Sequence, residues 1–142
     1  MKIIIINKTK SRIGDQRIKR GTAKVFRGLR AMGLTKNGDY RLHLVFLDKK
    51  ESQKVNSVFR GQSRPTNVLS FNYGDFGEIL LTPYIISKEA KDEGVSFVRR
   101  TMELIAHAAL HLCGLDHETA AEAKKAERVE KELFGRVDIA NF

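Results

Sequence analysis

The sequence predicts an α+β fold, with one sheet of about four strands and helices packed mainly on one side of it. Short apolar runs of strand type occur at residues 3–6, 40–47 and 77–81, and another occupies the second half of 59–71. Elsewhere apolar residues recur at steps of three and four, which is typical of amphipathic helices. Because strands and helices mix without strict βαβ alternation, an α+β sheet fits better than a fully parallel one.

Length and composition predict one domain covering residues 1–142. A chain of 142 residues with 42% apolar and 30% charged side chains can bury one proper core. The single cysteine cannot form an internal disulfide, which fits a reducing cytoplasm. The apolar run at residues 3–6 is far shorter than a secretory or membrane-spanning segment. We therefore expect a cytoplasmic protein with no membrane partner.

The first helix is predicted over residues 15–32, with Gly33 as its end. Its inward stripe follows steps of four and three and consists of Ile18, Thr22, Val25, Leu29 and Met32. Basic side chains occupy much of the remaining surface of this helix, among them Arg20, Lys24 and Arg27.

Local capping and turn signals place the elements that follow. Asp48 is predicted to cap a short helix that ends near Phe59. A turn at residues 74–75 joins two strands into a hairpin. A helix over residues 83–93 is expected to end at Gly94, and the next helix to begin near Ser96.

The last helix is predicted from a capping box formed by Thr119 and Glu122. Its apolar stripe consists of Ala126, Val129 and Leu133, with Phe134 beside it. Gly135 is the expected end of this helix, because glycine readily adopts the left-handed conformation that terminates helices.

Positive charge is concentrated near the N-terminus. Residues 1–41 carry 12 lysines or arginines against two acidic residues, whereas the remainder of the chain is nearly neutral. This asymmetry indicates that a polyanion docks on one part of the surface, and Arg20, Lys24 and Arg27 are the predicted contacts. The alternative is a basic face that only keeps the protein in solution.

Three of the four histidines fall within eleven residues, at His107, His111 and His117. On a helix, residues four apart lie on the same face, with Cβ atoms roughly 5–6 Å apart. His107 and His111 can therefore bind one metal ion together. Gly114 can reverse the chain and bring His117 back as a third ligand. The alternative is a pair of histidines satisfied within the core.

Three imidazoles leave one open position on a tetrahedral ion, which is typical of a catalytic site. Cys113 lies about 200° around the helix from His111, so we predict that it faces the core. His43 lies in a separate strand and is interpreted as structural. The ligand set suits zinc, nickel, cobalt or copper, and one zinc ion per chain is the prediction.

Two motifs resemble the signatures of one bacterial family. The run His107-Ala-Ala-Leu-His111-Leu-Cys-Gly114-Leu-Asp116-His117 is similar to the H-G-x-L-H-L-x-G-Y-D-H signature of the YbeY family. Arg60, followed by the Pro-Thr-Asn-Val-Leu-Ser-Phe run of residues 65–71, resembles its R-x-K-D-x-P-T-D/N-V-L-S-F signature. The resemblance implies a metal-dependent endoribonuclease that acts in ribosomal RNA maturation and ribosome quality control. It also implies a zincin-like fold, in which the ligand-bearing helix lies beneath the sheet.

The chemistry of the side chains, together with the resemblance, indicates roles for individual residues, and the alternative for Arg60 is an ordinary exposed loop arginine. Arg60 and His107 are the expected catalytic residues, with Arg60 stabilising charge on the phosphate. Arg64 is a weaker candidate for contact with the substrate, and Asp116 is expected to orient a histidine ligand. Ribosomal RNA is the implied substrate, and the implied partners are ribosomal subunits or ribosome-associated proteins.

The chain departs from the family pattern at Ala108, Ser63, Leu115, Glu78 and Asn72, and none of these positions is a predicted metal ligand.

Two other functions remain as alternatives to the endoribonuclease. A zinc protease of the H-E-x-x-H type would need a glutamate where Ala108 stands. A non-catalytic, RNA-binding metalloprotein of the ribosome would show the same histidines and basic face.

Overall fold

The computed structural model describes residues 1–35, 39–115 and 118–142. Within these ranges the chain forms four strands, five α-helices and a C-terminal 3₁₀ turn. In chain order they are β1 (Lys2–Asn7), α1 (Asp15–Ala31), β2 (Arg41–Phe46), α2 (Lys49–Arg60), β3 (Val68–Asn72), β4 (Phe76–Leu81), α3 (Pro83–Glu93), α4 (Phe97–Leu112), α5 (Ala120–Val137) and the turn Ile139–Asn141.

The strands form one mixed sheet in the order β1-β2-β4-β3. The strands β1, β2 and β4 are parallel, and β3 runs antiparallel to β4, so that the two form the predicted hairpin. Helical crossovers α1 and α2 follow β1 and β2, as parallel pairing requires. The predicted α+β class and the four-stranded sheet are confirmed.

One face of the sheet carries most of the core. Side chains alternate along each strand, so Leu42, Leu44 and Phe46 of β2 share a face with Ile79 and Leu81 of β4. All five are completely buried. Each such side chain contributes roughly 1.5–3 kcal/mol of transfer free energy when it leaves water. Helices α1 and α4 belong to the same buried cluster.

Helix α4 runs through this core, and its buried residues fix the position of the other side chains that the helix carries. Its buried stripe includes Met102, Ile105 and Ala109, none of which is exposed to solvent. The side chain of Ser96 accepts a hydrogen bond from the backbone of Arg99 and starts the helix where the sequence predicts. The last residue of the helix is Leu112, and Cys113 caps it.

Gly114 follows α4 in the left-handed conformation, with φ of 86°. A side chain at this position would be strained, and glycine accepts the conformation at little cost. The predicted left-handed conformation of Gly114 is therefore confirmed, and the expected return of His117 lies outside the described residues.

The capping predictions are also confirmed at other helices. Asp48 accepts a hydrogen bond of 2.8 Å from the backbone of Glu51 at the start of α2. Thr119 accepts one of 3.1 Å from the backbone of Glu122 at the start of α5. Gly94 ends α3 with φ of 69°. No helix in the described part of the chain is long and apolar enough to cross a membrane.

The predicted end of the last helix at Gly135 is wrong. Helix α5 continues to Val137 and ends where Asp138 adopts a left-handed conformation with φ of 58°. Val137 is only 4% exposed, and its side chain lies close to Gly28 of α1. Burial of this valine favours a further half-turn, so packing against α1 overrides the local preference of glycine.

Candidate metal centre and catalytic cleft

His107 and His111 stand on one face of α4, as their spacing predicts. The Nε2 atoms of the two rings are 3.2 Å apart, and the ring planes meet at 71°. A tetrahedral ion bonded to two imidazole nitrogens at ~2.0–2.1 Å holds those nitrogens about 3.3 Å apart. The observed separation is that of a hydrogen bond between the two rings, and it is also compatible with two ligands on one tetrahedral ion.

The other ring nitrogen of His107 contacts a residue that the sequence analysis did not identify. Nδ1 of His107 lies 2.6 Å from Oε2 of Glu130, which belongs to α5. Glu130 comes four residues after Ala126 and three before Leu133, both of which are buried. A carboxylate beside the apolar stripe of an adjacent helix is the one signal that could have drawn attention to it.

A cleft of about 430 Å³ opens beside the histidine pair. The wall formed by α4 carries His107, Ala108 and His111, and the facing wall carries Arg60 and the segment that leads into β3. Both predicted motifs thus line one cleft, although about forty residues separate them in sequence. The residues of this segment and of β3 that line the cleft are Thr66, Asn67, Val68 and Ser70.

Buried hydroxyl groups hold the backbone of that facing wall. The backbone nitrogen of Thr66 donates to Oγ of Ser52 at 3.1 Å, and its carbonyl accepts from Oγ1 of Thr82 at 2.6 Å. Ser52 and Thr82 are each only 2% exposed. These bonds fix the main chain next to the cleft, because a buried polar group left without a partner would cost about 1–3 kcal/mol.

Arg60 is the last residue of α2, and its side chain is exposed at the cleft. Gly61 then turns the chain with φ of 66°. Arg60 makes no side-chain hydrogen bond or ion pair with any residue that the structure describes. Arg100 also lines the cleft, but Glu89 and Glu103 lie 3.1 Å and 3.3 Å from its guanidinium nitrogens. Of these two described arginines, Arg60 is therefore the one whose charge is available to an anion.

Comparison with known proteins agrees with both motifs and with the fold. The family model for Endoribonuclease YbeY matches residues 4–138. Endoribonuclease YbeY of Bdellovibrio bacteriovorus is 35% identical over 99% of this chain and 93% of its own length. The chain belongs to the YbeY family of endoribonucleases. The resemblance inferred from the two motifs is confirmed.

Other relatives support YbeY membership. Endoribonuclease YbeY of Chelativorans sp. is 40% identical over 70% of this chain and 68% of its own length. The solution structure of TM1509 from Thermotoga maritima superimposes with a TM-score of 0.59 and 27% sequence identity, covering 94% of this chain and 89% of that one.

The third predicted ligand of the YbeY site, His117, and its neighbour Asp116 lie outside the described residues. Their roles stay predictions. Among the residues described, no group of three or more histidine, cysteine or acidic side chains is placed to hold a metal ion. Of the predicted metal centre, the structure therefore describes His107 and His111, with Glu130 in contact with His107.

Other predicted residues of this YbeY chain lie away from the cleft. Arg20 and Lys24 on α1 line a separate groove beside Phe142, with Nζ of Lys24 5.8 Å from the ring of Phe142. Arg27 is exposed on the same helix. None of the three lines the cleft beside the histidines. Arg64 lines an adjacent depression, and its Nε donates to Gln62 at 3.0 Å.

Cys113 packs against the core, as predicted, and does not line the cleft. Burial raises the pKa of its thiol, which disfavours the thiolate form that metals bind. His43 lies in β2 with its ring 5.8 Å from that of Phe76, also outside the cleft. Glu103, one turn before His107, is engaged by Arg100.

Proposed function

We propose that this chain is a metal-dependent endoribonuclease that cleaves single-stranded RNA during ribosomal RNA maturation. The observation that carries the proposal is the pair of imidazole nitrogens 3.2 Å apart, facing an arginine across one cleft. Two imidazole nitrogens can bind a divalent cation, and a guanidinium that has no acidic partner among the described residues can bind a phosphate. Together, a metal ion and a guanidinium can stabilise the charge that develops when a phosphodiester is hydrolysed.

The metal ion is proposed to be one zinc ion per chain, held by His107, His111 and His117. Two of these ligands are described, and their Nε2 separation fits a tetrahedral ion. When bound, zinc supplies Lewis acidity and an active nucleophile at neutral pH. His107 thus acts at the reacting centre as a ligand, and Asp116 is proposed to orient one of the other histidines.

Arg60 is proposed to act on the substrate directly. Its position at the end of α2 places a planar guanidinium at the cleft, where it can donate two hydrogen bonds to phosphate oxygens. Charge grows on these oxygens in the transition state, so the interaction strengthens as the reaction proceeds. The buried bonds of Ser52 and Thr82 to the facing wall keep the cleft preorganised.

We further propose that residues 1–142 act as a single domain in the cytoplasm, with ribosomal subunits or ribosome-associated proteins as partners. The family membership supports a role on RNA, and the basic N-terminal part supports contact with a large polyanion. The protease alternative has no support, because Ala108 occupies the position of the required glutamate.

The test of the proposed function is metal removal and restoration. We expect the chelator-treated protein to lose cleavage of a labelled single-stranded RNA and to regain it when zinc is added back. Metal content is measured by elemental analysis on the same samples, and a duplex of the same sequence serves as the control substrate. Full RNA binding without cleavage in the zinc-loaded protein would instead support the non-catalytic alternative.

The basic face of α1 gives a separate prediction. Reversing Arg20, Lys24 and Arg27 to glutamate should weaken binding of single-stranded RNA, because phosphate contacts release counterions. The log–log dependence of affinity on salt should become shallower by ~0.7 for each phosphate that the variant no longer neutralises. Fluorescence anisotropy across a salt series measures both quantities, and the metal content should not change.

A matched control carries the same change of net charge on another helix. Lys124, Lys125 and Lys131 are exposed on α5 and can be reversed to glutamate together. If both triple variants lose affinity equally, net charge alone explains the effect, and α1 is not a specific docking surface.

A further inference from the structure

The contact between Glu130 and His107 is short and crosses from one helix to another. Oε2 of Glu130 on α5 lies 2.6 Å from Nδ1 of His107 on α4. This separation is that of a short hydrogen bond between the ring nitrogen and the carboxyl group. The sequence distance of 23 residues shows that the contact exists only because the two helices pack together.

We propose that Glu130 is a positioning residue for His107. Its carboxylate keeps the ring proton on Nδ1 and thereby keeps Nε2 unprotonated, which is the form of the ring that can bind a divalent metal ion. The inference rests on the proposed function, because it assumes that the histidine pair holds a metal.

The tautomer follows from the inventory of donors and acceptors. A neutral imidazole carries one N–H, on either nitrogen, and an ionised carboxylate can only accept. A hydrogen bond between Nδ1 and Glu130 therefore requires the proton on Nδ1. The lone pair of the neutral ring is then on Nε2, which accepts a hydrogen bond of 3.2 Å from Nε2–H of His111. The carboxylate also strengthens the metal–nitrogen bond by polarising the ring.

Packing holds in place the helix that carries the carboxylate, although the Glu130 side chain itself is 31% exposed. Leu133 of α5 is completely buried and Ala126 is 2% exposed, so the stripe on either side of Glu130 is anchored in the core. Helix α5 contacts both α1 and α4. Glu130 is thus presented to His107 from a rigid element, and little conformational entropy remains to be lost when the metal binds.

Glu132 on the same helix shows what an ordinary surface carboxylate looks like here. It pairs with Arg136 one turn later at 3.2 Å, and the two side chains are 54% and 46% exposed. Such an exposed pair contributes little to stability, and its bond is within α5. It therefore serves as a control that removes a carboxylate from α5 without touching α4.

The experiment compares Glu130→Leu, Glu130→Gln and Glu132→Leu with the parent protein. The first measurement uses long-range ¹⁵N NMR of the metal-free protein, at a pH where the imidazole is neutral, to find which nitrogen of His107 carries the proton. The second measures zinc affinity by competition with a chromophoric chelator. Circular dichroism and thermal unfolding check that each variant is folded.

We expect Glu130→Leu to lose the preference for the Nδ1–H tautomer and to bind zinc about 10–100-fold more weakly. Glu130→Gln should keep much of the tautomer preference, because its amide oxygen still accepts from Nδ1–H, and should lose less affinity. Glu132→Leu should match the parent in both measurements.

The proposal requires both effects in a folded Glu130→Leu protein, so an unchanged tautomer or an unchanged zinc affinity would overturn it. A parent protein that binds no zinc would refute the proposed metal site instead. In that case the NMR measurement on the metal-free protein alone decides whether Glu130 sets the tautomer of His107.

Discussion

Replacing His111 with alanine should remove the metal ion and nearly abolish cleavage of RNA. The Nε2 atoms of His107 and His111 lie 3.2 Å apart, and the loss of one imidazole would leave the proposed metal ion with a single ligand from α4. A bound metal contributes several kcal/mol to stabilising charge in the transition state, which corresponds to at least about 10³ in rate. Elemental analysis and single-turnover cleavage on the same sample measure both losses.

Cys113→Ser is the control for this prediction. Cys113 lies two residues from His111 but packs against the core, outside the cleft. We therefore expect it to keep metal content and cleavage near those of the parent. Full metal occupancy in His111→Ala would show that the histidine pair is not the metal site, whatever its geometry.

The sequence could predict the histidine pair because its geometry is local. A spacing of four on a helix places two side chains on the same face regardless of what surrounds the helix. The start of that helix is equally local, since Ser96 caps it through the backbone of Arg99. The family resemblance added Arg60, and the structure places that residue at the same cleft.

The features that the sequence could not predict depend on how distant elements pack. Glu130 reaches His107 only because α5 folds back on α4, and no local pattern encodes that contact. The continuation of α5 through Gly135 depends on the burial of Val137 near α1. In the first case tertiary packing creates a contact that no local pattern indicates. In the second it overrides the preference of glycine for a helix end.

The position of the basic face is a third example. The charge balance identifies the N-terminal third as basic but carries no information on where that third lies relative to the cleft. The structure places Arg20 and Lys24 in a groove beside Phe142, away from the histidines. The charge balance alone therefore could not predict that the basic groove and the histidine cleft are separate surfaces.

Arg60→Ala should reduce the rate of cleavage by ~10²–10³, or about 2.7–4 kcal/mol, while metal content, fold and RNA affinity stay close to those of the parent. The reason is that a guanidinium beside the phosphate acts mainly on charge that appears in the transition state, so its loss affects turnover more than binding. Single-turnover cleavage at saturating enzyme isolates this step, with metal content measured in each variant.

Two further variants show whether the shape of the group matters as well as its charge. Arg60→Lys should recover only part of the rate, because an ammonium cannot reproduce the planar two-donor fork. Arg64→Ala should change the rate little, since Arg64 lies in the adjacent depression and donates to Gln62. If Arg60→Ala cleaves as fast as the parent, the proposed catalytic role is wrong. Arg60 is then an exposed surface residue that takes no part in the reaction.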